Sequence, residues 1–170
     1  MWGVRGYLAG WRETEFARFC EILATERLLP RVATEGRRLL DKHRERGDLI
    51  VLMTGAPAQL AEPLGRLLRS DVVVAGRLAI DVESLTGWML APTPRGREKA
   101  RHIRTLARQY HLDLQRSWAY ANTWGDAPHM ALTGHPVAVN PGPLLVRAAA
   151  RRGWPVQYWL PPGDERNERG

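Results

Sequence analysis

Apolar positions along the chain change period several times, and each change marks an element. Phe16, Phe19, Cys20, Leu23 and Leu28 recur near the helical repeat and predict a helix over 12–28, which Pro30 ends. Val32, Leu39 and Leu40 face one way while Arg37, Arg38, Lys42, Arg44 and Arg46 face the other. That pattern predicts a second helix over 31–46, closed by Gly47. An unbroken apolar run follows, Leu49-Ile-Val-Leu-Met53. A short β-branched run of this kind predicts a strand buried on both faces, as in a parallel sheet. Thr54-Gly55-Ala56-Pro57 ends it, and Pro57 opens a helix to Leu68.

Asp71 to Ala75 is the next strand. Leu78 to Ile80 and Gly87 to Leu90 flank Asp81-Val-Glu-Ser84 and predict a hairpin. Arg95 to Tyr110 is a long basic helix with Ile103, Leu106 and Ala107 inward. Trp118 to Ala121 is a strand, Asp126 to Leu132 a helix and Pro136 to Val139 a strand. Pro143 to Arg152 is a helix and Trp154 to Trp159 a last strand. Alternating strands and helices with short connections predict a layered α/β fold with a mainly parallel sheet. Residues 1–46 form a helical segment, 47–160 the core, and 161–170 a polar tail expected to be disordered. There is no internal repeat.

Composition narrows the class. The chain has 170 residues, 44% apolar and 25% charged, enough for one domain with a core. No apolar run reaches the roughly 18 residues that span a bilayer, so no membrane partner is expected. Met1-Trp-Gly-Val-Arg-Gly-Tyr-Leu-Ala-Gly10 does not read as a signal peptide. The single Cys20 excludes an internal disulfide and fits a reducing, cytoplasmic setting, where it serves as a small buried hydrophobe. The net charge of +7 comes from 23 Arg and only 2 Lys, Lys42 and Lys99. These Arg are spread along helices, which points to coding bias rather than a nucleic-acid surface. Nucleic-acid binding through helix 95–110 is the lesser reading. A basic surface would still attract small anionic substrates.

Few residues offer chemistry. Thr54 follows the first strand; its hydroxyl can donate to a phosphate oxygen, and Gly55 lets the backbone come close. The alternative is an N-cap of the next helix. Lys99 lies near the start of its helix in a chain that otherwise uses Arg, and a compact point charge suits a phosphate. The alternative is solvated surface. Asn122 and Asp126 lie where a strand ends, the usual ligand position in open α/β sheets, and hard oxygens there suit Mg²⁺. Turn formation and capping of the following helix are the alternatives. His129 and His135 have no metal-type spacing and read as structural. Trp88, Trp118, Trp124, Trp154 and Trp159 read as core or lid packing.

Taken in order, these segments resemble a known family. Val51-Leu-Met-Thr-Gly-Ala-Pro57, Gly96-Arg-Glu-Lys99 and Tyr120-Ala-Asn-Thr-Trp-Gly-Asp-Ala-Pro128 resemble the second, third and fourth motifs of the haloacid dehalogenase superfamily. Gly134-His-Pro-Val-Ala-Val-Asn-Pro141 and Arg152-Gly-Trp-Pro-Val156 are similar to segments of its subfamily IB phosphatases, which are related to phosphoserine phosphatase. The resemblance covers residues 12–160. It implies a Rossmann-like core beneath a helical cap, here a remnant. It also implies Mg²⁺-dependent hydrolysis of a small phosphorylated metabolite through an aspartyl-phosphate. Thr54, Gly55 and Lys99 would bind phosphate, Thr54 and Lys99 would be catalytic, and Asn122 and Asp126 would occupy the metal positions.

Two departures bear on activity. No Asp-x-Asp, the family's nucleophile motif, occurs anywhere in the chain, and no Asp precedes residue 41. Asn122 stands where the fourth motif usually begins with an acid. The expectation is a core without its first, central strand, truncated and weakly active or inactive as written. The strands flanking the gap would then pair directly or associate with another copy. A gene start placed too late is the other explanation, with about 70 more residues in the natural protein. The second functional reading is a non-catalytic phosphate-binding or interaction protein.

Overall fold

The computed structural model describes residues 5–90 and 93–161, and by its internal packing the chain divides into two units. The first comprises residues 1–94 with 160–170, and the second Arg95–Trp159. The tail expected to be disordered lies outside the described residues from 162 onward.

The first unit opens with α1 (Arg5–Leu8) and α2 (Glu13–Ile22). From α2 the chain continues as a π-helical turn over Leu23–Leu28 and a short 3₁₀ turn over Leu29–Arg31. The predicted helix 12–28 is therefore one continuous helical stretch with a widened last part. Phe16, Cys20 and Ala24, each one turn apart, are its buried positions. Phe16 and Cys20 form a core with Leu78 and Leu85, against which Leu8, Leu60 and Met89 pack. Cys20 is 1% exposed, and burial pushes its thiol up to about 11, so it is an inert hydrophobe as expected. α3 (Thr34–Glu45) ends at Gly47, whose φ of 75° suits glycine.

β1 (Val51–Pro57) and β2 (Val72–Gly76) pair in parallel, with α4 (Ala58–Leu67) connecting them. Every residue of β1 is half-buried, where the apolar run predicts burial on both faces. The sheet explains the difference: among the described residues β1 and β2 form a two-stranded sheet, without the second ladder that a central strand would have. The strand also runs four residues further than predicted, with a register shift between Met53 and Pro57 that absorbs Thr54 and Gly55. The predicted hairpin is present as β3 (Leu78–Asp81) and β4 (Ser84–Met89). Val82 and Glu83 form its turn, both with positive φ.

The second unit holds α5 (Arg97–Gln109), β5 (Trp118–Ala121), α6 (Ala127–Met130), β6 (His135–Val139), α7 (Pro143–Arg152) and β7 (Val156–Gln157). Its sheet is parallel, in the order β5-β6-β7. Ala119 and Ala138 meet Ala127 and Met130 from α6 and Leu145, Ala148 and Ala149 from α7 in one core. Small residues on the strands let the helices approach closely. Fully buried Met130 and Leu145 contribute roughly 1.5–3 kcal/mol each through burial. Gly134 is required for space, because a Cβ there would stand 1.8 Å from the Gln115 carbonyl oxygen.

Among the described residues β1 and β5 belong to different sheets. The last strand is shorter than predicted because Pro155 has no N–H to donate. Beyond β7 the Asn140 side chain takes over the ladder's role, accepting from Trp159 N at 2.8 Å and donating to Trp159 O at 2.9 Å. No described tryptophan is fully buried, and Trp118 and Trp124 are 43% and 49% exposed, contrary to the core reading. Trp118 instead stacks on His135 across the β5–β6 pair at 4.5 Å.

Candidate active site

The best-formed polar cluster of the second unit stands at the C-terminal end of β5. Lys99 is the third residue of α5, after an N-cap at Gly96. Side chains of a helix lean toward its N-terminus, so Lys99 projects past the start of α5. There its Nζ donates to Asp126 Oδ1 at 2.5 Å. Asp126 closes a 3₁₀ turn over Trp124–Asp126, just before α6. Thr123 begins that turn, and its Oγ1 donates to Asp126 Oδ2 at 2.8 Å while its carbonyl accepts from Asp126 N at 3.0 Å. Both carboxylate oxygens are therefore engaged, and their partners hold the side chain in one orientation.

Burial makes this pair consequential. The Lys99 and Asp126 side chains are 14% and 8% exposed. Burial alone pushes the Asp126 carboxyl up. Hydrogen bonds from Lys99 and Thr123, with the charges of Lys99 and His129, outweigh it and leave the group below the usual carboxylate range. His129, one turn on, places Nδ1 4.0 Å from Asp126 Oδ1, and that nitrogen has no hydrogen-bond partner. Burial and the nearby Lys99 charge push the imidazole down to about 4 against the pull of Asp126, so at neutral pH it is uncharged.

Each candidate now has a place. Lys99 is buried and paired rather than solvated. Asp126 occupies the N-cap position of α6 but makes no side-chain cap bond; its side chain turns to Lys99 and Thr123 instead. Asn122 is exposed one residue after β5, and its carbonyl accepts from Gly142 N at 3.1 Å. Thr54 and Gly55 lie in the first unit, inside β1. Thr54 Oγ1 accepts from Ala56 N at 3.1 Å, and the cap position of α4 falls to Pro57. His135 is a structural stacking partner, as expected.

Thr123 was not a sequence candidate, and His129 read only as structural. Thr123 stands three residues before Asp126, the spacing at which turn residues bond one another. His129 stands three after it, one turn along a short helix, so the signal was spacing to a known acid rather than a motif.

A Mg²⁺ ion takes hard oxygen donors, usually one or two carboxylates with water and phosphate. Asp126 already gives both oxygens to a lysine and a threonine, and Asn122 adds only a neutral amide. Among the described residues no group of three or more His, Cys, Asp or Glu could hold a metal. These residues by themselves do not fit the ion.

The second unit is a parallel α/β layer with a buried lysine–carboxylate pair at a strand end. A profile of haloacid dehalogenase-like hydrolases matches residues 4–131, and the chain belongs to that family. It is 31% identical over 157 residues to the inhibition of morphological differentiation protein of Streptomyces azureus, covering 90% of this chain and 57% of that protein. It is 29% identical over 152 residues to a phosphoserine phosphatase of Mycobacterium tuberculosis, covering 89% and 49%. The chain spans about half the length of the curated relatives it matches. Among solved structures, a Bordetella pertussis protein of unknown function superposes with a TM-score of 0.79 at 23% identity, covering 89% of this chain and 70% of that one. A haloacid dehalogenase family hydrolase from Salmonella enterica gives 0.70 at 16% identity, covering 89% and 48%. At these identities the structures establish the fold alone.

Proposed function

We propose that the chain is the phosphate-orienting part of a phosphomonoester hydrolase of this family, and that its 170 residues alone turn over little or no substrate. The observation that carries the reading is the buried Lys99–Asp126 pair at 2.5 Å, on segments that resemble the family's third and fourth motifs. An ammonium has three donors; one is spent on Asp126, and the others can serve a phosphate. Asp126 acts by holding Lys99 in place, and Thr123 holds Asp126. Thr54, by family likeness, is a second phosphate-binding group.

The aspartyl-phosphate route needs a free carboxylate oxygen to attack phosphorus while the alcohol leaves. The chain contains no Asp-x-Asp, and each Asp126 oxygen already accepts a hydrogen bond, from Lys99 or from Thr123. Relatives support the substrate class without selecting a member. One is a phosphoserine phosphatase, and another, 24% identical, is a histidinol-phosphatase of Neisseria meningitidis. The substrate is thus a small phosphorylated metabolite. No described helix is long and apolar enough to cross a membrane. With the single buried thiol, we place the protein in the cytoplasm.

The test is thermal unfolding with inorganic phosphate. Stabilisation that rises with phosphate in the native chain and disappears in Lys99→Ala is expected. Equal stabilisation of both would remove Lys99 from the phosphate site.

A further inference from the structure

An open cleft of about 490 Å³ lies on the second unit, lined by Trp124, Leu144, Arg147, Ala148, Arg151 and Arg152. Its composition is unusual for ordinary surface. Arg147 and Arg151 are one turn apart on α7, a helix without a single acidic residue. Neither has an ion-pair or hydrogen-bond partner among the described residues. Arg152 lays its guanidinium over the Trp154 ring at 5.1 Å, which restrains the side chain and leaves its charge unneutralised. Facing these charges, the Trp124 indole is 49% exposed. The turn that presents it is held at both ends by Thr123 and Asp126.

Favourable placement at a helix C-terminus accounts for Arg151 and Arg152. It does not account for Arg147 in mid-helix, nor for an indole presented to solvent beside three cations. Guanidinium groups bind phosphate oxygens in bidentate fashion, and an indole face stacks planar rings. The volume is that of a small-molecule pocket rather than a long groove.

We propose that this cleft binds a free nucleotide, with its base on Trp124 and its phosphates on Arg147 and Arg151. The inference does not rest on the Lys99 site, because the cleft shares no lining residue with it. A nucleic-acid strand would need a track of cations longer than one helix face supplies.

The experiment is calorimetric titration of the whole chain with ADP, inorganic phosphate, adenosine and a ten-residue oligothymidylate. ADP should saturate one site and bind more tightly than phosphate or adenosine. Arg147→Ala with Arg151→Ala should weaken ADP by about tenfold or more, as loss of charge-assisted bonds implies. Trp124→Ala should weaken it and Trp124→Phe restore it, with circular dichroism confirming the fold of each variant. Arg147→Ala with Arg151→Ala should leave the phosphate-dependent thermal stabilisation assigned to Lys99 as in the native chain, so failure of the phosphate-site reading and failure of this one are told apart. The proposal is overturned by absence of saturable ADP binding, or by indifference to the arginine pair. Phosphate binding as tight as ADP, or oligothymidylate binding without ADP binding, would also overturn it.

Discussion

Replacing Lys99 with Met removes a charge but keeps the length of the chain, so packing is nearly preserved while Asp126 loses its cation. Asp126 is 8% exposed and cannot recover its hydration without local opening. Breaking a buried ion pair on one side costs about 3–5 kcal/mol, because the remaining charge is uncompensated. Thr123 still donates to Oδ2, which places the cost at the lower end, about 3 kcal/mol. For a chain of this size that corresponds to a fall in Tm of roughly 6–12 °C. Urea unfolding at pH 7, followed by tryptophan fluorescence, measures it directly. Adding Asp126→Asn removes the stranded charge and should return about 2 kcal/mol, a coupling that a double-mutant cycle reads. If Lys99→Met lies within about 0.5 kcal/mol of native, or the two changes are additive, the pair is a surface contact and the reasoning fails.

Stability should also fall in acid. His129 has a folded value near 4 against 6.5 unfolded, so its neutral form contributes stability fully above pH 6.5 that is lost as pH falls toward 4, on the order of 3 kcal/mol. Asp126, held low, loses its contribution in the same direction below its ordinary range. His129→Gln should flatten the stability profile between pH 6.5 and 4 in denaturant titrations. Gly134→Ala puts a methyl against backbone that cannot move aside, and should cost about 2–3 kcal/mol in the same assay. Val82→Asn relieves a β-branched residue from a φ of 45° in an exposed hairpin turn, and should raise stability by about 1 kcal/mol.

The elements were legible because each carries its own period. Phe16 and Cys20 mark a helix face, Leu49 to Met53 a strand, and Pro136 to Val139 another. Boundaries slipped where tertiary partners decide them. β1 extends through Thr54 and Gly55 because β2 continues beside it, and β7 stops at Gln157 because Asn140 replaces the ladder with its side chain. The burial of β1 could not be read from its own residues, since it depends on how many neighbours a strand has. Lys99 and Asp126 were legible as members of motifs but not as partners, because 27 residues separate them. Their contact depends on where α5 begins relative to the end of β5. Trp124 reads as core or lid packing from its sequence, and the structure sets it half exposed beside an open cleft.

On the proposed function, this chain carries the Lys99–Asp126 pair without the Asp-x-Asp nucleophile. Turnover of a generic aryl phosphate with Mg²⁺ tests it most directly. The 170-residue chain should release no alcohol above the uncatalysed background. A rate comparable with that of an intact family phosphatase, abolished by Thr54→Ala or Lys99→Ala, would contradict the claim.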